Sequence, residues 1–301
     1  MMLKNSLLLF AFCFGLLACD NNDHSGLAKV DLEGSGSYLF KDYPSLANKP
    51  LRVYYYIPPN LAAHRPVLIV FHGFGRDAKE SRDELIAKAN QKEFALLVPE
   101  FSNEQYPGGD AYNLGNIFEN GDDPSAASLN PFEEWSFSPI DSMFEDFKDR
   151  SGLSATNYDV FGHSAGGQVA HRYNYFWPDA QVNRIVAAAS GWYTMPDFTV
   201  EFPYGLKESP LQGNALARIF AKPVYIVVGL NDNDPNANSL RRSPEANEQG
   251  DNRLARAQYY YQESAKLANE ASINYAWQFK SLSGVAHGFR ANALYAADLL
   301  Y

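Results

Sequence analysis

The sequence predicts an α/β protein with one mainly parallel central sheet and helices packed on both faces. Three observations carry that expectation. Short apolar runs at 66–71, 94–99, 184–190 and 223–229 have the pattern of strands buried on both faces, as parallel strands are. Helix-compatible stretches separate them, and strands that alternate with helices imply parallel crossovers. Gly-rich segments follow two of the strand ends, at His72-Gly73-Phe74-Gly75 and Gly162-His163-Ser164-Ala165-Gly166-Gly167.

Taken in order, residues 51–57 are aromatic and β-branched and read as an early strand, ended by Pro58-Pro59. After the strand at 66–71, residues 77–91 are polar and helix-prone, with Leu85, Ile86 and Ala89 for an inner face. The strand at 94–99 opens a long irregular stretch, 100–139, rich in Gly, Pro, Asn and aromatics. A connection of that length is too long for a simple turn, and the stretch is expected to wall a substrate pocket. A helix follows at 140–150, with Ile140, Met143, Phe144 and Phe147 on one face. The strand at 158–161 leads into the Ser164 turn, and the next helix stops before Pro178. A second excursion, 194–218, precedes the strand at 223–229, and a polar stretch follows it to about Asn252. A helix at 254–267, a last strand at 273–279 with Tyr275 and Trp277 on one face, and a helix to Tyr301 complete the chain.

The 301 residues, 46% of them hydrophobic and 14% aromatic, suffice for one large core. A net charge of −10 and the absence of any basic run speak against nucleic acid as a partner. Residues 1–18 read as an export segment, with Lys4 ahead of an apolar stretch too short for a comfortable membrane span. The segment ends in Leu16-Leu17-Ala18-Cys19, which resembles the lipobox of bacterial lipoproteins. That resemblance implies lipidation of Cys19, a cell-envelope location and a lipid anchor as the only contact with membrane; an ordinary signal peptide cut near Ala18 and a short anchor left uncleaved are the other readings. Residues 19–37 are expected to be a tether, and 38–301 a single domain with insertions near 101–139 and 194–218. Both cysteines, Cys13 and Cys19, lie in the export segment or at its end, so neither a disulfide nor a thiolate site is expected in the domain.

Gly-His-Ser164-Ala-Gly between a strand and a helix has the form of a nucleophile elbow, in which a strained turn exposes the serine hydroxyl. Two acids compete to follow it, Asp232 and Asp234, both just after the strand at 223–229; Asp232 is favoured. His287, within Gly284-Val-Ala-His287-Gly, comes last. Residues 232–243 also begin like a calcium loop, but Ala237 and Ser243 stand where glycine and glutamate are required, so that reading is rejected. No cofactor and no metal are expected. His72, His163 and His171 are expected to be structural.

With the four motifs His72-Gly73, Gly162 to Gly167, Gly229-Leu-Asn-Asp232 and Gly284 to Gly288, the chain resembles the α/β-hydrolase superfamily, most nearly exported esterases of the feruloyl esterase and polyhydroxybutyrate depolymerase type. The resemblance implies that Ser164 is the nucleophile, Asp232 the orienting acid and His287 the base. The backbone amides of Phe74 and Ala165 are then the oxyanion donors. The expected function is hydrolysis of a small or oligomeric carboxylic ester through an acyl-enzyme. A serine peptidase or amidase of the same fold, and a non-catalytic binding module on it, are the alternatives.

Overall fold

The computed structural model describes residues 32–178 and 180–301. Its frame is an eight-stranded sheet made of β1 (Gly34–Phe40), β2 (Leu51–Ile57), β3 (Val67–Phe71), β4 (Ala95–Glu100), β5 (Tyr158–His163), β6 (Val182–Ala188), β7 (Val224–Gly229) and β8 (Gln278–Leu282). The spatial order is β1-β2-β4-β3-β5-β6-β7-β8. The first two strands pair antiparallel, β2 also meets β4 antiparallel, and every later pairing is parallel. The continuous apolar runs are buried end to end in β3, and almost so in β4 and β7. That burial is what helices on both faces of a parallel sheet produce.

The helices divide between those faces. α1 (Ala78–Lys92) and α7 (Phe289–Leu300) cover one, where Leu85, Ala89, Ala293 and Ala297 pack on Leu68, Val70, Phe161 and Val227. α2 (Ile140–Ser151), α3 (Ala165–Phe176), α4 (Ala215–Ala221), the short α5 (Pro244–Glu248) and α6 (Arg253–Glu270) contribute to the other core. The apolar stripe of α2 is fully buried at Ile140, Met143, Phe144 and Phe147, so truncating Phe144 to alanine should cost about 3–5 kcal/mol.

Two expectations need correction. The tether was expected to run to residue 37, but β1 already begins at Gly34 and pairs along its whole length with β2. Its side chains alternate between half-buried and exposed, and its Gly/Ser composition hides that period. The last strand is Gln278–Leu282 rather than 273–279. Tyr275 and Trp277 instead pack against Phe220 and one another, and the Ala276 N–H bonds to the Phe220 carbonyl rather than to a strand. Within the stretch read only as polar, residues 244–248 are helical, with Ser243 Oγ accepting from the Ala246 N–H as the cap. The expected export segment, Cys19 and the first part of the tether lie outside the described residues. Among the described residues no helix is long and apolar enough to cross a membrane.

Candidate active site

Ser164 stands between β5 and α3 with φ +58° and ψ −114°, a conformation that a side chain with Cβ rarely adopts and that costs energy to hold. Two glycines make the turn possible. A Cβ on Gly162 would lie 2.0 Å from the Gly166 carbonyl oxygen, and one on Gly166 would lie 2.0 Å from the Phe71 carbonyl oxygen. The Ser164 N–H bonds to the Ala188 carbonyl at 2.9 Å, tying the turn to β6. Ala165 is the first residue of α3, so its N–H is one of those a helix leaves without an internal acceptor.

The side chains named from sequence come together. His287 Nε2 is 3.1 Å from Ser164 Oγ, placed to accept its proton, and His287 Nδ1 is 2.8 Å from Asp232 Oδ2, placed to donate to it. Asp232 sits three residues past the end of β7 and is buried, while His287 lies in the loop between β8 and α7 and keeps about a third of its side chain open. Of the two competing acids, Asp234 is exposed and its Oδ1 accepts from the Asn236 N–H in a local turn. Geometry therefore selects Asp232 as the partner of His287.

Three other histidines, His72, His163 and His171, are buried packing groups. His72 takes the Phe101 N–H on Nε2, gives Nδ1–H to the Gly73 carbonyl and stacks on Tyr112. Burial lowers its pKa to about 4. His163 packs 4.9 Å from the His287 ring, and burial, with a smaller push from His287, lowers it to about 3. His171 bridges the Gly167 carbonyl and the Thr194 N–H, and burial depresses it strongly.

Two cavities open on Ser164. One of about 470 Å³ is lined by Phe74, Ser164, His163, His287 and Phe289, with Asp77, Glu80, Glu84 and Arg290 at its acidic side. The other, of about 280 Å³, is lined by Phe74, Ser164, Ala165, Asn113, Gln168, Trp192, Arg241 and Arg253. Phe74 belongs to both, and its side chain is 68% exposed. Of the long excursion only Gly109 and Asn113 reach these cavities. Tyr112, Leu114, Ile117, Phe118 and Phe137 are buried in the core instead. The expected pocket wall is thus mostly a packed layer, and the second excursion touches neither cavity.

Sequence reasoning missed the arginines. Arg253 contacts Asp232, and Arg172 and Arg256 are completely buried nearby. Nothing local marks them, since Arg172 on α3 and Arg253 and Arg256 on α6 are cationic residues of a kind that ordinary helices carry. Arg76 was also missed. It donates to the carbonyls of Phe101, Tyr106 and Gly108 and so pins the start of the long excursion.

No protein-family model matches the sequence, and no curated protein matches it. Solved structures do. A poly(aspartic acid) hydrolase-1 from Sphingomonas sp. KT-1 is 39% identical with a TM-score of 0.84, over 89% of this chain and 98% of that one. A poly(3-hydroxybutyrate) depolymerase from Bordetella parapertussis is 30% identical with a TM-score of 0.82, over 90% of this chain and 91% of that one. An S-formylglutathione hydrolase from Agrobacterium tumefaciens shares the fold, at 14% identity and a TM-score of 0.55 over 88% of this chain and 92% of that one. The sheet order, the strained serine turn and two relatives matched over most of their length agree, and the chain belongs to the α/β-hydrolase family.

Proposed function

We propose that this protein is a serine hydrolase that cleaves carboxylic esters through an acyl-enzyme. The observation that carries the reading is the unbroken hydrogen-bonded chain from Ser164 Oγ through His287 to Asp232, at a serine held in a strained turn. His287 takes the Ser164 proton as the hydroxyl attacks the carbonyl carbon, then gives it to the leaving alcohol. Asp232 fixes the tautomer and stabilises the imidazolium. The N–H groups of Ala165 and Phe74 are the oxyanion donors in this reading, each worth about 3 kcal/mol of transition-state stabilisation. Water then repeats the sequence on the acyl-enzyme. His163 stays neutral beside His287, so it adds no second positive charge when His287 is protonated.

A second reading, amide hydrolysis by the same groups, is favoured by one observation: the relative 39% identical acts on poly(aspartic acid). The relative that is a poly(3-hydroxybutyrate) depolymerase favours the ester. A fluorophosphonate probe should label Ser164, and Ser164→Ala should abolish both labelling and turnover of 4-nitrophenyl acetate. Wild-type rates from the Ser164→Ala protein would sink the reading. Faster turnover of 4-nitroacetanilide than of the acetate ester would select the amide.

We also propose that the mature chain starts at a lipidated Cys19. Palmitate labelling that survives Cys19→Ala would refute it.

A further inference from the structure

The smaller cavity beside Ser164 has no carboxylate in its lining, yet four guanidinium groups stand in and behind its walls. Arg253 and Arg241 line it; the first faces Asp232 and the second pairs with Asp122. Arg172 lies behind Trp192, its guanidinium 4.4 Å from the ring centre, with Arg241 at 5.1 Å from the same ring. Arg256 donates to the carbonyls of Gly191 and Arg241.

Arg172 and Arg256 are wholly buried, and among the described residues neither forms an ion pair. Their acceptors are neutral: the Asn113, Gln168 and Thr194 oxygens for one, and the carbonyls of Gly191, Arg241 and Gly250 with Asn247 Oδ1 for the other. Burial lowers their pKa values to about 9 and about 10, so both stay charged at neutral pH. Among the described residues only two of the four cations have a direct carboxylate partner, Arg253 with Asp232 and Arg241 with Asp122, while Asp251 acts on Arg256 without an ion pair. Arg172 Nη2 and Arg253 Nε are buried without a partner. Uncompensated buried charge is costly unless an anion completes it.

Resting on the serine-hydrolase reading, we propose that this cavity binds a carboxylate on the acyl part of the substrate. The substrate class is then a half ester of a dicarboxylic acid. The acyl assignment follows from where His287 stands. A base that protonates the leaving oxygen must face the leaving group, and His287 lines the larger cavity and not the smaller one. Asn113 and Gln168 supply neutral amides beside the guanidiniums. The larger cavity carries Asp77 and Glu80 besides the Glu84–Arg290 ion pair, a net negative lining that disfavours an anionic leaving group and suits an uncharged alcohol.

The test compares 4-nitrophenyl hydrogen adipate with 4-nitrophenyl hexanoate, whose acyl chains are equally long and end in a carboxylate or a methyl group. The wild-type protein should prefer the adipate at least about tenfold in kcat/KM, mainly through KM, and Arg241→Gln should lower that preference at least about fivefold. Free adipate should inhibit wild-type hexanoate turnover competitively, and the neutral diamide should not. Equal or better use of the hexanoate, or a preference unchanged in Arg241→Gln, overturns the subsite while leaving the hydrolase reading intact. If Arg241→Gln does not fold, the wild-type preference and the adipate inhibition decide alone. Turnover of neither ester, with no fluorophosphonate labelling of Ser164, means the hydrolase reading has failed and the subsite with it.

Discussion

Arg253 and Asp232 form an ion pair in which both side chains are almost wholly buried, with Nη1 3.4 Å from Oδ1. The other carboxylate oxygen belongs to His287. Asp232 is therefore held from two sides, and its carboxylate plane is fixed relative to the imidazole. Asp234, two residues on, has neither contact. Asp232→Asn should lower kcat on 4-nitrophenyl acetate by about 10⁴, because an amide no longer favours the tautomer that accepts the serine proton. Asp234→Asn should stay within about twofold of wild type. A larger loss at Asp234 than at Asp232 would reverse the assignment of the acid.

The parts legible in the sequence were those with a local signature. β3, β4 and β7 are apolar runs buried on both faces, and the Ser164 turn is bracketed by glycines at fixed offsets. β1 was not legible, because an edge strand of Gly, Ser and Tyr needs β2 beside it before its alternation has meaning. Nor was the strand at 278–282, whose pattern is weaker than that of the aromatic segment just before it. At the site, Ser164, Asp232 and His287 could be named because each ends a strand or follows one in a motif. Arg172, Arg253 and Arg256 could not, since their partners lie 15 to 65 residues away in the contacts that matter. Tertiary packing alone gives them a role.

The elbow makes a sharper stability test than any activity. Gly166→Ala drives a Cβ into the Phe71 carbonyl, while Gly288→Ala meets no atom within 4 Å and has an ordinary φ of −68°. Gly166→Ala should cost at least about 3 kcal/mol by urea denaturation, and Gly288→Ala less than about 1 kcal/mol. Similar losses at the two positions would mean that close backbone packing does not hold the turn.

Arg76 predicts where the long excursion loosens first. Its guanidinium satisfies three carbonyls, those of Phe101, Tyr106 and Gly108, and packs over the Tyr112 ring. Arg76→Met keeps an unbranched apolar stem and leaves those carbonyls without their donor. Amide exchange across 101–112 should speed up at least about tenfold, with β3 and β5 unchanged, because the lost bonds belong to the loop alone. Uniform acceleration throughout the protein would show instead that Arg76 supports the whole fold.

Three buried histidines should steepen the loss of stability in acid. Burial lowers His72 to about 4 and His163 to about 3, and depresses His171 strongly. In the unfolded chain each returns to an ordinary value near 6.5. Between the folded and unfolded values the unfolded state binds more protons, so stability rises with pH across that window. The contribution is fully present above about pH 6.5 and is lost as pH falls toward the folded values, by up to about 1.4 kcal/mol per pH unit for each histidine. Urea midpoints measured from about pH 7.5 down to about pH 5 should therefore fall steeply below about pH 6.5. His72→Asn removes one of the three titrating groups. Whatever it does to stability at neutral pH, it should flatten the decline by roughly a third. A decline as steep as that of the wild type would mean that His72 is not protonated on unfolding, and that carboxylates rather than buried imidazoles govern the acid limb.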